Sequence, residues 1–266
     1  MNLSSPTHLQ LRGALAPWLP TIGDETISVL AERWDRIVLR LESSNSNFVV
    51  TCNLNHEKAQ REFAAQKQLA SSGLASELLS PLIHIGAWSC FGSVFLKGEN
   101  LVSPRKAHLA SLAQALARLY EVESLSGLDL PPRDPVQMLH QWCGGLLSQG
   151  ASDLANQGAQ LADAIEDFGV CFDEGFVHGD MTPSNIITGA AGVVFIDFEH
   201  CGRGDAFFDF SKLFVSREWA SMAEMLAEAV FGERLVPSWP RLLDLYVQSH
   251  RFGIEAWRIR HRHNIR

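Results

Sequence analysis

The spacing of apolar residues changes period once along this 266-residue chain, near residue 103, and the change restricts the folds open to it. Upstream, short β-rich runs dominate at 27–31, 36–41 and 47–52, with further strand candidates at 82–85 and 92–97. A Ser/Asn cluster at 43–47 reads as a hairpin turn between the second and third runs. One helix interrupts this region over 55–71, where Asn55 can cap the first turn and Phe63, Gln66, Leu69 and Ala70 share a side. The order is three strands, a helix and two strands.

Downstream the pattern is helical. Ser103 and Pro104 supply an N-cap and a proline at the first helical position. Leu109, Leu112, Ala113, Leu116, Leu119 and Tyr120 then recur at the spacing of one helix face. Further helices are expected near 135–148, 152–168, 206–230 and 238–258. Among them sits a hairpin: a strand at 185–188, a Gly-Ala-Ala-Gly turn, and a strand at 193–197. The expectation is an α+β chain with a small β-rich lobe over 1–98 and a larger, mainly helical lobe over 99–266, joined near 96–100.

Composition excludes some classes. A formal net charge of -8 argues against nucleic acid as the main partner. No apolar run approaches the roughly 18–20 residues that span a bilayer. The amino terminus lacks a basic start followed by an apolar block, so it does not read as a signal peptide. Cys52, Cys90, Cys143, Cys171 and Cys201 are scattered, without a CxxC pair, which points to a reducing cytoplasm.

The stretch that carries chemistry is His178-Gly-Asp-Met-Thr-Pro-Ser-Asn185, continuing to Ile196-Asp-Phe-Glu199. If the turn at 189–192 sets Thr188 opposite Val193, then Asn185 lies opposite Ile196 and Asp197 is its diagonal neighbour. Asp180 precedes Asn185 across a proline-containing loop that can fold back over the same point. Two carboxylates and an amide oxygen are therefore expected to converge. Such ligands suit Mg²⁺, which takes one or two carboxylates and completes its shell with water and phosphate. The remaining carboxylate can accept a proton from an attacking hydroxyl. That is the logic of phosphoryl transfer. The bland alternative is a polar turn whose Asp and Asn side chains only cap neighbouring elements.

These motifs resemble the catalytic loop and metal-binding segment of the aminoglycoside phosphotransferase and choline kinase-like family. Gly202-Arg-Gly-Asp-Ala-Phe-Phe-Asp-Phe210 resembles the segment that follows. The resemblance is specific over 176–213 and architectural elsewhere. It implies a protein kinase-like fold and transfer of phosphate from ATP, with Mg²⁺, to an alcohol on a choline-, thiamine-, sugar- or aminoglycoside-like molecule. It makes Asp180 the catalytic base, His178 a largely structural loop residue, and Asn185 and Asp197 the metal ligands. Leu96 and Gly98 fall in the connector whose backbone holds the adenine, and Glu62 on the helix becomes the partner of a phosphate-binding lysine. Glu199, Asp205 and Asp209 are the acidic residues nearest a cationic acceptor, although Asp205 also reads as a helix cap and Asp209 as a brace for the loop.

The amino-terminal lobe departs from that family. Its third strand offers Thr51 or Cys52 where the lysine should stand, leaving Arg40 or Lys58 as substitutes. The bland reading of Lys58 is an exposed ion pair with Glu62 one turn away. The segment at 31–36 is bulky where a glycine-rich loop would approach phosphate. These departures support a second reading, a catalytically reduced nucleotide- or metabolite-binding protein on a kinase-like scaffold.

Overall fold

A computed structural model describes residues 6–18, 26–42, 46–125, 128–169, 174–190 and 192–261. Cys171, most of the turn expected at 43–47 and the arginines beyond 261 lie outside these residues. The chain opens with helix α1 (His8–Leu15), then strands β1 (Thr26–Arg33), β2 (Arg36–Glu42) and β3 (Asn47–Asn53). Helix α2 (His56–Ala70) leads to β4 (Ile83–Ile85), β5 (Trp88–Val94) and β6 (Gly98–Asn100). Next come α3 (Lys106–Tyr120), β7 (Pro132–Arg133), α4 (Pro135–Leu147), α5 (Ser152–Phe168) and β8 (Glu174–Val177). The hairpin β9 (Ile186–Gly189) and β10 (Gly192–Phe195) precedes β11 (Gly202–Asp205). Four helices close the order: α6 (Ala206–Ser211), α7 (Arg217–Ala220), α8 (Ala223–Phe231) and α9 (Trp239–His261).

The chain divides into two compact units. The first comprises Met1–Asn100, Leu125–Asp129 and Asn185–Cys201, so it takes in the β9–β10 hairpin as well as the amino-terminal region. Its main sheet has the order β1-β2-β3-β5-β4 with antiparallel neighbours throughout. Alternation sorts β2 between two faces. Ile37, Leu39 and Leu41 bury against Leu11 and Leu15 of α1, together with Val50, Cys52 and Cys90. Arg36, Val38 and Arg40 take the other face. There α2 packs through Ala59, Glu62, Ala65, Gln66 and Leu69, and Phe63 meets Phe91 edge to face. Asn55 caps α2 by accepting the Lys58 N–H, as expected. A second sheet, β10-β9-β6, sets Thr188 opposite Val193 as the turn geometry requires.

The second unit comprises Leu101–Ser124, Leu130–Ser184 and Gly202–Arg266. The amphipathic face of α3 is buried through Leu109, Leu112, Ala113, Leu116, Leu119 and Tyr120. Its start differs from expectation: Arg105 is the N-cap residue, while Ser103 donates its hydroxyl to Glu218. Helices α4, α5 and α9 pack closely, and a methyl at Gly158 would meet Phe252 and Cys143. The helix expected over 206–230 is broken into α6, α7 and α8. Phe207, Phe208, Phe210 and Phe214 are all buried. The Ser211 hydroxyl donates back to the Phe208 carbonyl, and the following turn, Lys212–Val215, is a 3₁₀ helix. Among the described residues no helix is long and apolar enough to cross a membrane.

Candidate active site

In the first unit the chemistry gathers around Arg36. Its Nη2 donates to Glu62 Oε1 at 2.6 Å and its Nη1 lies 2.8 Å from Asp197 Oδ1. The third strand carries no lysine beside it. Arg36 opens β2 directly opposite Asn53, which makes it the diagonal neighbour of Thr51 on the same sheet face. A guanidinium from the adjacent strand therefore meets Glu62 where the third strand offers only a hydroxyl. Neither of the substitutes read from sequence occupies this position. Arg40 stands four residues further along β2, about 13 Å at the usual rise, and there it pairs with Glu42 at 3.0 Å and lies over the Phe95 ring. Lys58 Nζ lies 3.7 Å from Asp35 and 3.8 Å from Glu199.

Glu199 is the acidic centre of the cluster, only 1% exposed. It accepts from Arg33 and from Asn53 Nδ2 at 3.2 Å, and the His200 ring stands 3.2 Å away. Burial alone would raise its carboxyl, but hydrogen bonds from His200 and Arg33 and the charge of Arg36 hold it well below the usual carboxylate range. Glu62 behaves oppositely. Burial pushes its carboxyl up to about 7 against the pull of Arg36, and the like charges of Asp197 and Glu199 add to the rise. Glu199 is thus tied into the cluster by Arg33, Asn53 and His200.

Asn185 and Asp197 sit at the open end of the β9–β10 hairpin. Asn185 ends a 3₁₀ turn, and its carbonyl accepts the Ile196 N–H at 3.0 Å, extending the ladder by one rung. Asp197 has φ 68°, the one left-handed non-glycine residue among those described. The next residues form a 3₁₀ turn, Phe198–His200, held to α2 by Arg61 bonding the Glu199 carbonyl. Leu96 lies between β5 and β6, and Gly98 begins β6 opposite Gly189. Glycine is needed there, since a methyl would stand 2.5 Å from the Thr188 carbonyl oxygen. No glycine-rich loop joins β1 to β2. The connection is a two-residue turn whose Trp34 is 82% exposed, with Arg33 paired to Arg36 in the ladder.

In the second unit, His178 and Asp180 follow the end of β8. His178 is fully buried and its Nδ1 accepts the Asp180 N–H at 3.3 Å. Asp209 accepts the backbone N–H groups of His178 and Gly179, each at 2.9 Å, and so braces this loop. Asp205 caps α6 through the Phe207 and Phe208 N–H groups and accepts the Tyr246 hydroxyl at 2.7 Å. Both aspartates are spoken for structurally. Lys212, which no sequence signal singled out, donates to Asp180 Oδ1 at 2.5 Å.

The fold is the protein kinase-like α+β arrangement shared by choline kinases and aminoglycoside phosphotransferases. A family model described as the phosphotransferase enzyme family matches residues 26–245. The chain belongs to that family and is a phosphotransferase. No curated protein matches it by sequence. Among solved structures, it resembles a choline/ethanolamine kinase family protein from Mesorhizobium loti, with 19% identity, TM-score 0.72, and 96% of this chain and 86% of that one covered. Choline kinase LicA from Streptococcus pneumoniae gives 16% identity and TM-score 0.72 over 98% of this chain and 93% of its own. The aminoglycoside phosphotransferase APH(2")-IIIa, solved with GDP and kanamycin, gives 14% identity and TM-score 0.69 over 95% and 93%.

Proposed function

We propose that the chain is an ATP- and Mg²⁺-dependent small-molecule kinase that transfers the γ-phosphoryl group to an alcohol hydroxyl. The observation that carries this reading is the bridge from Glu62 through Arg36 to Asp197, in a chain whose catalytic-loop sequence is intact. Phosphoryl transfer depends on positioning and charge neutralisation, so a fixed cation near the phosphates is an essential part. Arg36, held by Glu62, supplies that cation in place of the strand lysine.

Asn185 and Asp197 are the residues that would hold magnesium. Their amide and carboxylate oxygens are hard donors of the kind the ion prefers. Asp197 Oδ1 is held by Arg36 Nη1 at 2.8 Å, so the cation that stands near the phosphates also orients this carboxylate. When bound, the ion neutralises charge on the β- and γ-phosphates. Asp180 accepts the proton of the acceptor hydroxyl while that oxygen bonds to the γ-phosphorus. The bond from that phosphorus to the β–γ bridging oxygen breaks and ADP leaves. The backbone near Leu96 and Gly98 faces the adenine, and His178 keeps the loop in shape. Choline-, thiamine-, sugar- and aminoglycoside-like alcohols are the acceptor classes to screen, in a protein expected to work in the cytoplasm.

The closed β1–β2 turn, tied down by Arg33 on Glu199, favours the second reading of a reduced nucleotide-binding protein. Calorimetry with Mg-ATP, followed by an acceptor panel of these alcohols, separates the two. Binding with ADP release on acceptor addition supports the kinase. Binding without turnover across the panel supports the second reading, and no binding contradicts both.

A further inference from the structure

The second unit holds a relationship that the proposed chemistry has not used. One helical turn grips three consecutive loop residues. Asp209, on α6, takes the N–H groups of His178 and Gly179. Three residues on, Lys212 takes the side chain of the third, Asp180. Positions three apart on a helical turn share a face, so both contacts are made by one rigid edge.

That edge is fixed from several sides. Asp205 caps its start and is held by Tyr246 of α9. The Phe208 carbonyl receives the Ser211 hydroxyl at 2.6 Å and faces His250 Nε2 at 2.9 Å. Phe208 stacks on the His250 ring at 4.3 Å, and Phe210 packs edge to face on Phe214 and Phe231. His250, buried beneath this turn, is kept neutral first by its burial and then by the charge of Lys212. The ammonium therefore leaves a turn that cannot readily move. Its side chain and that of Asp180 are only 22% and 29% exposed.

Resting on the kinase reading above, we infer that Lys212 is the positioning residue for Asp180, fixing the direction in which the base carboxylate faces the acceptor. A carboxylate has two rotatable bonds between its oxygens and the backbone, and holding it in one rotamer removes that freedom before the acceptor arrives. Lys212 acts through Asp180. Its loss therefore slows the chemical step and leaves nucleotide binding in place.

The test uses the full chain with Mg-ATP, water serving as the acceptor. Lys212→Met is expected to lower kcat by about 10- to 100-fold while KM for Mg-ATP moves by less than about threefold. Lys212→Arg, which can still reach the carboxylate, recovers about tenfold of that loss. On an Asp180→Asn background, Lys212→Met produces no further drop, because both changes strike the same step. Thermal melting checks that each variant folds. Wild-type turnover in Lys212→Met, or an equal drop on both backgrounds, overturns the inference while leaving the kinase reading intact. A wild-type chain that neither binds nor turns over Mg-ATP overturns the kinase reading, and the role of Lys212 falls with it.

Discussion

Arg36 and Glu62 meet through a 2.6 Å hydrogen bond between groups that are 6% and 3% exposed, and the same guanidinium reaches Asp197 at 2.8 Å. One cation thus stands among three carboxylates, Glu62, Asp197 and Glu199. The arrangement places positive charge where the third strand has none. Removing that cation strands buried negative charge.

Arg36→Met should destabilise the fold by about 3–5 kcal/mol, the usual cost of breaking a buried ion pair from one side. Adding Glu62→Gln to that variant should restore part of the loss, since one uncompensated carboxylate is then removed. Urea unfolding of the two variants and wild type measures both effects. An unfolding midpoint unchanged in Arg36→Met contradicts the cluster's role in stability.

Nucleotide affinity gives a separate reading of the same side chain. Arg36→Lys keeps a charge but loses the fork that reaches Glu62 and Asp197 together. It is expected to fold and to raise KM for Mg-ATP by about tenfold, equivalent to roughly 1.4 kcal/mol of binding. Arg40→Lys, on the same face but paired with Glu42, should leave KM near wild type. Equal effects from both would show that no specific cation is in use.

Gly98→Ala tests the contact between β6 and the hairpin. The added methyl would lie 2.5 Å from the Thr188 carbonyl oxygen and 2.7 Å from Ile187 Cγ2. Backbone must shift to relieve that contact, at a cost of about 1–3 kcal/mol. Circular dichroism melting should register the loss. A variant as stable as wild type would mean that β6 does not pair with β9 as described.

Asp205 sets a pH dependence. Burial raises its carboxyl to about 6, against the bonds from Tyr246, Phe207 and Phe208. The folded state therefore holds a proton that the unfolded chain gives up near pH 4. Its stabilising share is fully present below about pH 4 and is lost as pH rises through about 6, on the order of 3 kcal/mol in all. Asp205→Asn still caps α6 and does not titrate. Urea unfolding at acid and neutral pH should show the variant gaining on wild type as pH rises. A constant difference would rule out this account of Asp205.

Much of the fold is legible in sequence because its signals are local. The period-two runs of β2 and β3, the apolar face of α3 and the hairpin that presents Asn185 and Asp197 all depend on residues close along the chain. The start of strand β5 is not marked by alternation. It starts at Trp88, earlier than its pattern indicates, because both of its faces are buried and alternation disappears. Strand β11 reads Gly-Arg-Gly-Asp and has little strand propensity. It exists because Arg133 and Pro131 lie where side chains at Gly202 and Gly204 would stand.

The site divides in the same way. The loop from His178 to Asn185 is a contiguous motif and can be read directly. Arg36 is 26 residues from Glu62, and Lys212 is 32 from Asp180, distances at which no spacing rule operates. A partial clue to Arg36 did exist. Strand register places it diagonal to Thr51 on one face, which excludes Arg40 by its distance along the strand.

The most direct measurement is phosphoryl transfer from γ-labelled ATP by wild type and Asp180→Ala, with Mg²⁺ and the acceptor panel. Labelled product from wild type, falling by at least about 10²-fold in a variant that still folds and binds Mg-ATP, is the predicted result. Transfer at near wild-type rate without the Asp180 carboxylate would contradict the account.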